Sequence, residues 1–551
     1  MNGSGPRLLQ SPGDDVAKFR LSWVFPASAP ARFTKNYALA CFDPSGKPRD
    51  PAAPMTMSVA NTTEAAGPMR GLLPLWVGAG IYALLVLAGD QLLNDADTYW
   101  QITVGQWILD HRTVPQTDMY SFTMHGQPWI STQWLAQVML AVCHSIAGWT
   151  GLVVLAATST ALTLALLVRF LGRHLTDGAS LAFIATAVAL VAGHLLARPH
   201  VLALPVMVAW VGGLVAAMDD RKAPSFWLLP LMALWANLHG GFVLGLALVA
   251  PMAVDAVWNA DAPMRKSLAL RWALFAAAAL LASCLTPYGW DALFAARRIL
   301  NLGAALDLIG EWRPADFAHP GPLEAAVTLA FVLALWRGVV LPPIRVALVV
   351  GFVLMALSHA RNAEVLALLG PMVIAAPLAR WAGGPDGNTQ SAGSPRQGLL
   401  LAGLAIVLAA GTLAFASVHR FEPNVRQSPV AAVAALKKMN FKRVFNDYDF
   451  GGYLIASGVA TFIDGRTELF GEKFMVDHNA ASGLMEPENL FRLLEEYKIE
   501  ATLMRTQSAA TKLLDHVDGW HKVYADDIAT IHLRRPGAVH AIEPAVKPKV
   551  K

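Results

Sequence analysis

Apolar residues along this chain fall in long blocks, separated by short stretches where the charges collect. A bilayer core about 30 Å thick is crossed by roughly 20 apolar residues in a helix, because no water is present there to satisfy an open backbone. The blocks that fit are Leu72–Leu92, Leu152–Val168, Leu181–Leu196, Val201–Met218, Trp227–Asn237, Phe242–Trp258, Leu268–Leu285, Ala325–Trp336 with its flanks, Ile344–Leu357, Val365–Leu378 and Leu399–Ala416. They predict a polytopic α-helical membrane protein with about eleven transmembrane helices. Trp134–Ile146 is too short to cross and is expected to lie in or re-enter the interface.

The pattern changes after residue 418. Ala431–Met439 reads as a helix, and Arg443–Phe445 and Ala460–Ile463 as strands with a Gly451-Gly452 break between them. Pro487–Tyr497 then reads as a helix, Ala501–Met504 as a strand, Ala509–His516 as a helix, and His521–Ala525 with Ile528–Leu533 as a closing hairpin. This alternation predicts a C-terminal soluble α/β domain over 419–535. Residues 1–70 are rich in Pro, Ala, Ser and Gly without a sustained apolar period and are expected to be disordered, as is the tail 536–551. A true start at Met55, Met57 or Met69 is the alternative for the first segment.

Composition agrees with the membrane assignment: 55% of residues are hydrophobic and 15% charged, against about 25% charged in ordinary soluble proteins. The net charge of +4 is small for 551 residues and the basic residues lie in short loops, which argues against nucleic-acid binding. Cys41, Cys143 and Cys284 are far apart and form neither a disulfide framework nor a zinc-site spacing. The basic residues report orientation instead, since cytoplasmic loops are enriched in Lys and Arg. With Arg70 inside, Arg169–His174, Asp219–Lys222, Arg265–Arg271, Arg337–Arg345 and Arg380–Arg396 all face the cytoplasm, and everything after residue 418 is outside.

That alternation collects a set of polar residues on the outer face. They are Asp95 and Asp97, then Arg198 and His200, then Asn237 and His239, then Glu311 and Arg313, and last His359 and Arg361 beside Asn362. Ionisable groups at membrane depth are costly and point to a functional cavity, although a single arginine at a helix end is often only snorkelling. The outer loop 93–132 opens on Asp95-Ala-Asp97 and continues into a helix with Trp100, Val104, Trp107 and Ile108 on one face, suited to lying in the interface. Paired carboxylates can hold a divalent cation, take a proton from a hydroxyl or orient a sugar, while Asp97 could equally cap the helix starting at Thr98.

These features resemble the GT-C superfamily of membrane glycosyltransferases, in which an acidic residue or pair opens the first outer loop ahead of interfacial helices. Asp95–Leu109 with Val114-Pro-Gln-Thr-Asp118, Asn237-Leu-His-Gly-Gly241, Thr286-Pro-Tyr-Gly289, Glu311-Trp-Arg313 and Phe462-Ile-Asp-Gly-Arg-Thr-Glu468 are also similar to a group of bacterial multi-spanning proteins, over roughly residues 72–535. The resemblance implies transfer of a sugar from a polyprenyl-phosphate donor on the periplasmic side of a bacterial inner membrane, to an acceptor left open: glycan, lipid or protein. On that footing Asp97 and Asp95 are the catalytic candidates, with a divalent metal on the pair as one option. Arg361, Arg198 and Arg313 would hold the leaving phosphate, with His359, His239 and His200 as further donors.

Bland readings stand beside these. His239 could satisfy freed backbone at the Gly240-Gly241 break, and Glu311 with Arg313 could be a local ion pair. Asn446–Asp449 and Asp464–Glu468 should share a sheet edge where ligands bind, or be turn chemistry with an Asp–Arg pair. No GxGxxG, P-loop or GxSxG occurs, which argues against nucleotide use and serine hydrolysis. The competing function class is a non-catalytic envelope-assembly protein that binds a partner through its outer domain. A transporter is disfavoured, because no pair of broken helices repeats in two halves.

Overall fold

The computed structural model describes residues 72–300, 302–308, 310–382 and 395–535. The segments expected to be disordered, 1–70 and 536–551, lie outside the described residues. Proline sets the start of many helices, because its missing N–H is unneeded in the first turn and its fixed φ already suits a helix. Helices α1 (Leu73–Leu87), α5 (Pro199–Asp219), α6 (Leu229–Leu238), α10 (Pro322–Arg337) and α11 (Pro343–Ser358) all begin this way. Between them run α2 (Asp97–His111), α3 (Trp134–Leu171), α4 (Asp177–Val191), α7 (Phe242–Trp258), α8 (Arg265–Ser283) and α9 (Asp291–Leu300), and the bundle ends with α12 (Ala363–Trp381) and α13 (Pro395–Val418). Among the described residues six helices are long and apolar enough to cross a bilayer, and four apolar helices are shorter. The chain is a helical membrane protein with a small sheet.

Glycines fix how the first helices meet. A Cβ on Gly78 would lie 3.3 Å from the Ala165 side chain, and one on Gly89 would lie 2.8 Å from Val153, so α1 and the second half of α3 run antiparallel in close contact. The chain between them therefore leaves and re-enters at one end of the bundle. Helical geometry lapses inside α3 at Ala147 and at Gly148, where φ is 58°. Beyond this break Gly151 sits against the Cys143 carbonyl with no room for a side chain. Before the break, α3 packs on α2: Gly105 abuts the Gln137 carbonyl, and Gln101 accepts a 2.8 Å bond from Gln137, whose own carbonyl accepts from Ser131.

The apolar face of α2 differs from expectation. Trp100, Val104 and Ile108 are buried against Trp129 and Ile455. Protein, in part the short helix α15 (Gly451–Ala456), covers the face that the sequence assigned to the membrane interface.

The terminal part of the chain forms a four-stranded sheet of order β1-β2-β4-β3, with β1 (Val444–Asn446) parallel to β2 (Ala501–Arg505), and β4 (Ala529–Arg534) antiparallel to both β2 and β3 (Trp520–Ala525). Helices α14 (Val430–Met439), α16 (Thr467–Gly483), α17 (Pro487–Glu496) and α18 (Ala509–Leu514) complete it. The run Ala460–Ile463, expected as a strand of this sheet, is not one. Thr461 pairs instead with the outer loop, giving its carbonyl to Phe122 N–H at 3.0 Å and its N–H to the Tyr120 carbonyl at 3.1 Å. The Asn446 side chain clamps the other side of that run, accepting from Phe462 N–H and donating to the Ile463 carbonyl.

Candidate functional site

Arg198 is the centre of the polar cluster. It precedes Pro199, which disfavours helical geometry, and its extended backbone (φ −120°, ψ 158°) places it just ahead of the first turn of α5. Its guanidinium grips the Asp95 carboxylate with two bonds, Nη2 to Oδ1 at 2.5 Å and Nε to Oδ2 at 2.6 Å. The other arm, Nη1, donates to Glu311. Asp95 is 2% exposed and its oxygens also accept from Asp97 N–H and Thr98 Oγ1. Asp95 thus serves the start of α2, the capping role that the sequence offered to Asp97.

Asp97 is left for other work. Its Oδ1 accepts from Trp100 Nε1 at 3.0 Å, its Oδ2 lies 3.6 Å from Arg198, and its side chain is 27% exposed. Burial, and then the Asp95 carboxylate, push Asp97 up to about 7 from 3.8, against the opposing pull of Arg198. Burial alone would raise Glu311 too, but Arg198 and Arg361 hold it below its ordinary value. Arg361 lies 3.7 Å from Glu311 and packs over the Trp312 ring at 5.5 Å. Of the two arginines it is the less committed: Arg198 is held by two carboxylates, Arg361 by one longer contact.

The remaining predicted residues divide. His359 Nδ1 lies 2.8 Å from the Trp312 carbonyl, and Ala360 N–H donates to the Arg313 carbonyl, which ties the 310–313 turn to Arg361. Arg313 itself is exposed and bonds the Asp307 carbonyl at 3.3 Å. Glu311 pairs with Arg198 and Arg361, so the local Glu311–Arg313 pair considered from the sequence does not form. His200 is buried, with Nε2 3.1 Å from the His194 carbonyl and 3.9 Å from Glu364, and its ring is 6.2 Å from that of His239. His239 Nδ1 accepts from Gly241 N–H at 3.1 Å, the backbone-satisfying role at the helix break. Asn237 accepts from Trp134 Nε1 and donates to the Ala233 and Leu285 carbonyls, so its amide is spent on holding α3, α6 and the end of α8 together.

Sequence reasoning missed Glu364 and the reach of the terminal domain. Glu364 is a buried acid in the first turn of an apolar helix, three residues after Arg361, and that placement was a readable signal. Gly465 approaches Asp97 so closely that a Cβ would fall 1.8 Å from Oδ1, and Gly452 does the same to the Ala96 carbonyl at 2.1 Å. Burial and then the Asp97 carboxylate push the Tyr448 phenol well above its ordinary value, with Asp464 and Arg198 also in range. Trp129 Nε1 donates to Glu468 at 3.0 Å. The two loops expected at one sheet edge, Asn446–Asp449 and Asp464–Glu468, thus border the Asp-x-Asp.

Both Asp95 oxygens are engaged by the Arg198 guanidinium, which also lies 3.6 Å from Asp97 Oδ2 and so competes with a divalent cation for the pair. Among the described residues no group of three His, Cys, Asp or Glu side chains could hold one. Beside the cluster lies an apolar cavity of about 280 Å³, lined by Leu85, Leu164, Val188 and Leu204. It reaches Leu92 and Leu195, three residues before Asp95 and Arg198 respectively, and the Leu92 carbonyl accepts from Ala197 N–H at 2.7 Å.

No family model matches the chain, and no curated protein matches it by sequence. Solved structures match by shape. The archaeal oligosaccharyltransferase AglB from Archaeoglobus fulgidus, in complex with an inhibitory peptide and a dolichol-phosphate, superposes with a TM-score of 0.50 at 9% identity, over 86% of this chain and 75% of that one. ArnT from Cupriavidus metallidurans, bound to undecaprenyl phosphate, gives a TM-score of 0.43 at 13% identity over 86% and 99%. The likeness to AglB shows that the chain shares the fold of that oligosaccharyltransferase.

Proposed function

We propose that this protein transfers a sugar from a polyprenyl-phosphate-linked donor to an acceptor hydroxyl or amide at the periplasmic face of a bacterial inner membrane. The carrying observation is the convergence of Asp97, Arg198, Glu311 and Arg361 from four separate segments, with an apolar cavity reaching Leu92 and Leu195 just before Asp95 and Arg198. A polyprenyl donor has the matching parts, an anionic phosphate at headgroup depth and an apolar tail. AglB, of like fold, is known in complex with a dolichol-phosphate. The proposed topology has eleven crossings, with the terminal α/β domain outside and Trp134–Ile146 lying along the outer face.

In this reading the Asp97 carboxylate takes the proton of the acceptor as its heteroatom attacks the anomeric carbon. The bond from that carbon to the donor phosphate breaks and its electron pair leaves on the phosphate oxygen, where Arg361 is placed to stabilise it. Arg198 bridges Asp95 and Glu311 and holds Glu311 ionised.

Purified protein given a radiolabelled lipid-linked sugar and membrane extract as acceptor provides the test. Asp97→Asn is expected to lower transfer by about 10²–10⁴-fold while thermal stability is retained; undiminished transfer would remove Asp97 from the mechanism. If wild-type protein transfers nothing and deletion of 420–551 abolishes its cellular role while Asp97→Asn does not, the partner-binding class replaces this one.

A further inference from the structure

The terminal domain meets the Asp-x-Asp through the turn Asp464-Gly465-Arg466, and the bonds holding that turn are unusual for a simple packing contact. Arg466 is fully buried. Its Nε and Nη2 each donate to the Asp464 carboxylate at 2.7 Å, and its Nη1 donates to Asp118 in the outer loop at 2.5 Å. Both carboxylates are likewise 0% exposed. The guanidinium also packs on the Tyr120 and Trp129 rings, at 5.3 and 4.9 Å. Asp118 takes further bonds from Tyr120 N–H, Ser121 N–H and Ser121 Oγ, and Asp464 from Thr461 Oγ1.

Burying one cation and two anions is a poor way to gain adhesion, since apolar side chains of similar volume commonly hold as well or better. What a bidentate guanidinium adds is register. The element held in register is Gly465, whose missing side chain leaves the space filled by Asp97 Oδ1. We propose that Arg466 is a positioning residue: by locking the 464–466 turn to Asp118 it seats Gly465 over the Asp97 carboxylate and thereby sets that carboxylate's orientation and dryness. The terminal domain is then a wall of the reaction centre, joined to it through one arginine.

Amide hydrogen exchange on the full-length protein in detergent micelles tests this without any activity. In Arg466→Met, exchange across residues 96–104 is expected to rise about tenfold or more, with partial recovery in Arg466→Lys, while strands β2 and β4 keep wild-type protection. Unchanged exchange at 96–104, or loosening of the strands to the same degree, would overturn the proposal. Gly465→Ala guards against a variant that fails to fold. It leaves the triad intact and crowds Asp97, so 96–104 should exchange faster while 117–123 stays protected, and an unaltered 96–104 counts against the proposal. An activity arm rests on the transfer reading above: both variants should lose about 10²-fold in kcat with donor KM within about twofold. Absence of transfer by the wild type would defeat that reading while the exchange results still decide this one.

Discussion

Two arginines at opposite ends of the bundle, Arg345 buried and Arg198 partly exposed, each bridge two carboxylates brought by other segments, yet their surroundings differ. At one end Arg198 spans Asp95 and Glu311; at the other, Arg345 on α11 spans Asp219 on α5 and Asp255 on α7, at 2.5 and 3.5 Å. The Arg345 group is closed: Arg345 and Asp255 are each 3% exposed and the guanidinium also donates to the Val373 carbonyl of α12. The Arg198 group is open, with a half-buried third carboxylate in Asp97 and a second, loosely held cation in Arg361. One arrangement ties four helices together; the other leaves charged groups at an accessible surface. Burial alone does not mark a site, whereas surplus charged groups facing an accessible space do.

Substitutions can break that contrast. Arg345→Met strands two carboxylates in the bundle and is expected to cost about 3–5 kcal/mol of stability, read as a large fall in melting temperature in detergent. Arg361→Met should leave stability within about 1 kcal/mol, as for other partly exposed pairs. Its effect should appear instead as about a tenfold or greater rise in donor KM, from the loss of a charge-assisted phosphate contact. An equal stability loss at the two positions would erase the distinction.

A pH series sharpens it further. Asp97 has a folded value of about 7 against 3.8 unfolded. Its neutral form is therefore favoured by folding: the stability it contributes is complete below about 3.8 and is lost as pH rises through about 7. Its base form grows over the same upper range, so transfer should rise through about pH 7 while the melting temperature declines. Asp97→Asn should flatten the stability trend. The smallest effect belongs to Arg313→Ala: this side chain is exposed and outside the cluster, and transfer should remain within about twofold of wild type.

Much of the bundle was legible because membrane helices announce themselves by apolar length, and the loops between them by proline and charge. Asp95, Asp97, Arg198, Glu311 and Arg361 were legible as a set for the same reason: each is a polar residue at the end of an apolar block, and the alternation of blocks puts all five at one end. Which partner each would choose was not legible. Spacing of two made Glu311 and Arg313 look like a pair, but the tie from Ala360 to Arg313 turns the segment so that Glu311 faces Arg198. The strand-like run Ala460–Ile463 has the right residues for a sheet, and only the tertiary presence of loop 117–129 diverts its hydrogen bonds. Gly465 carries no local signal at all, since what it needs is space for an atom 368 residues away in sequence. The apolar face of α2 was readable as apolar, but periodicity does not say whether lipid or protein will cover it.

The most direct measurement is a structure of the full chain in a lipid nanodisc with a polyprenyl phosphate added. The phosphate is expected within about 4 Å of the Arg361 guanidinium, on the Asp97 side, with the first isoprene units entering the cavity between α1 and α4. Density for the lipid elsewhere on the protein, with Arg361 still paired only to Glu311, would contradict the assignment of this cluster as the donor site.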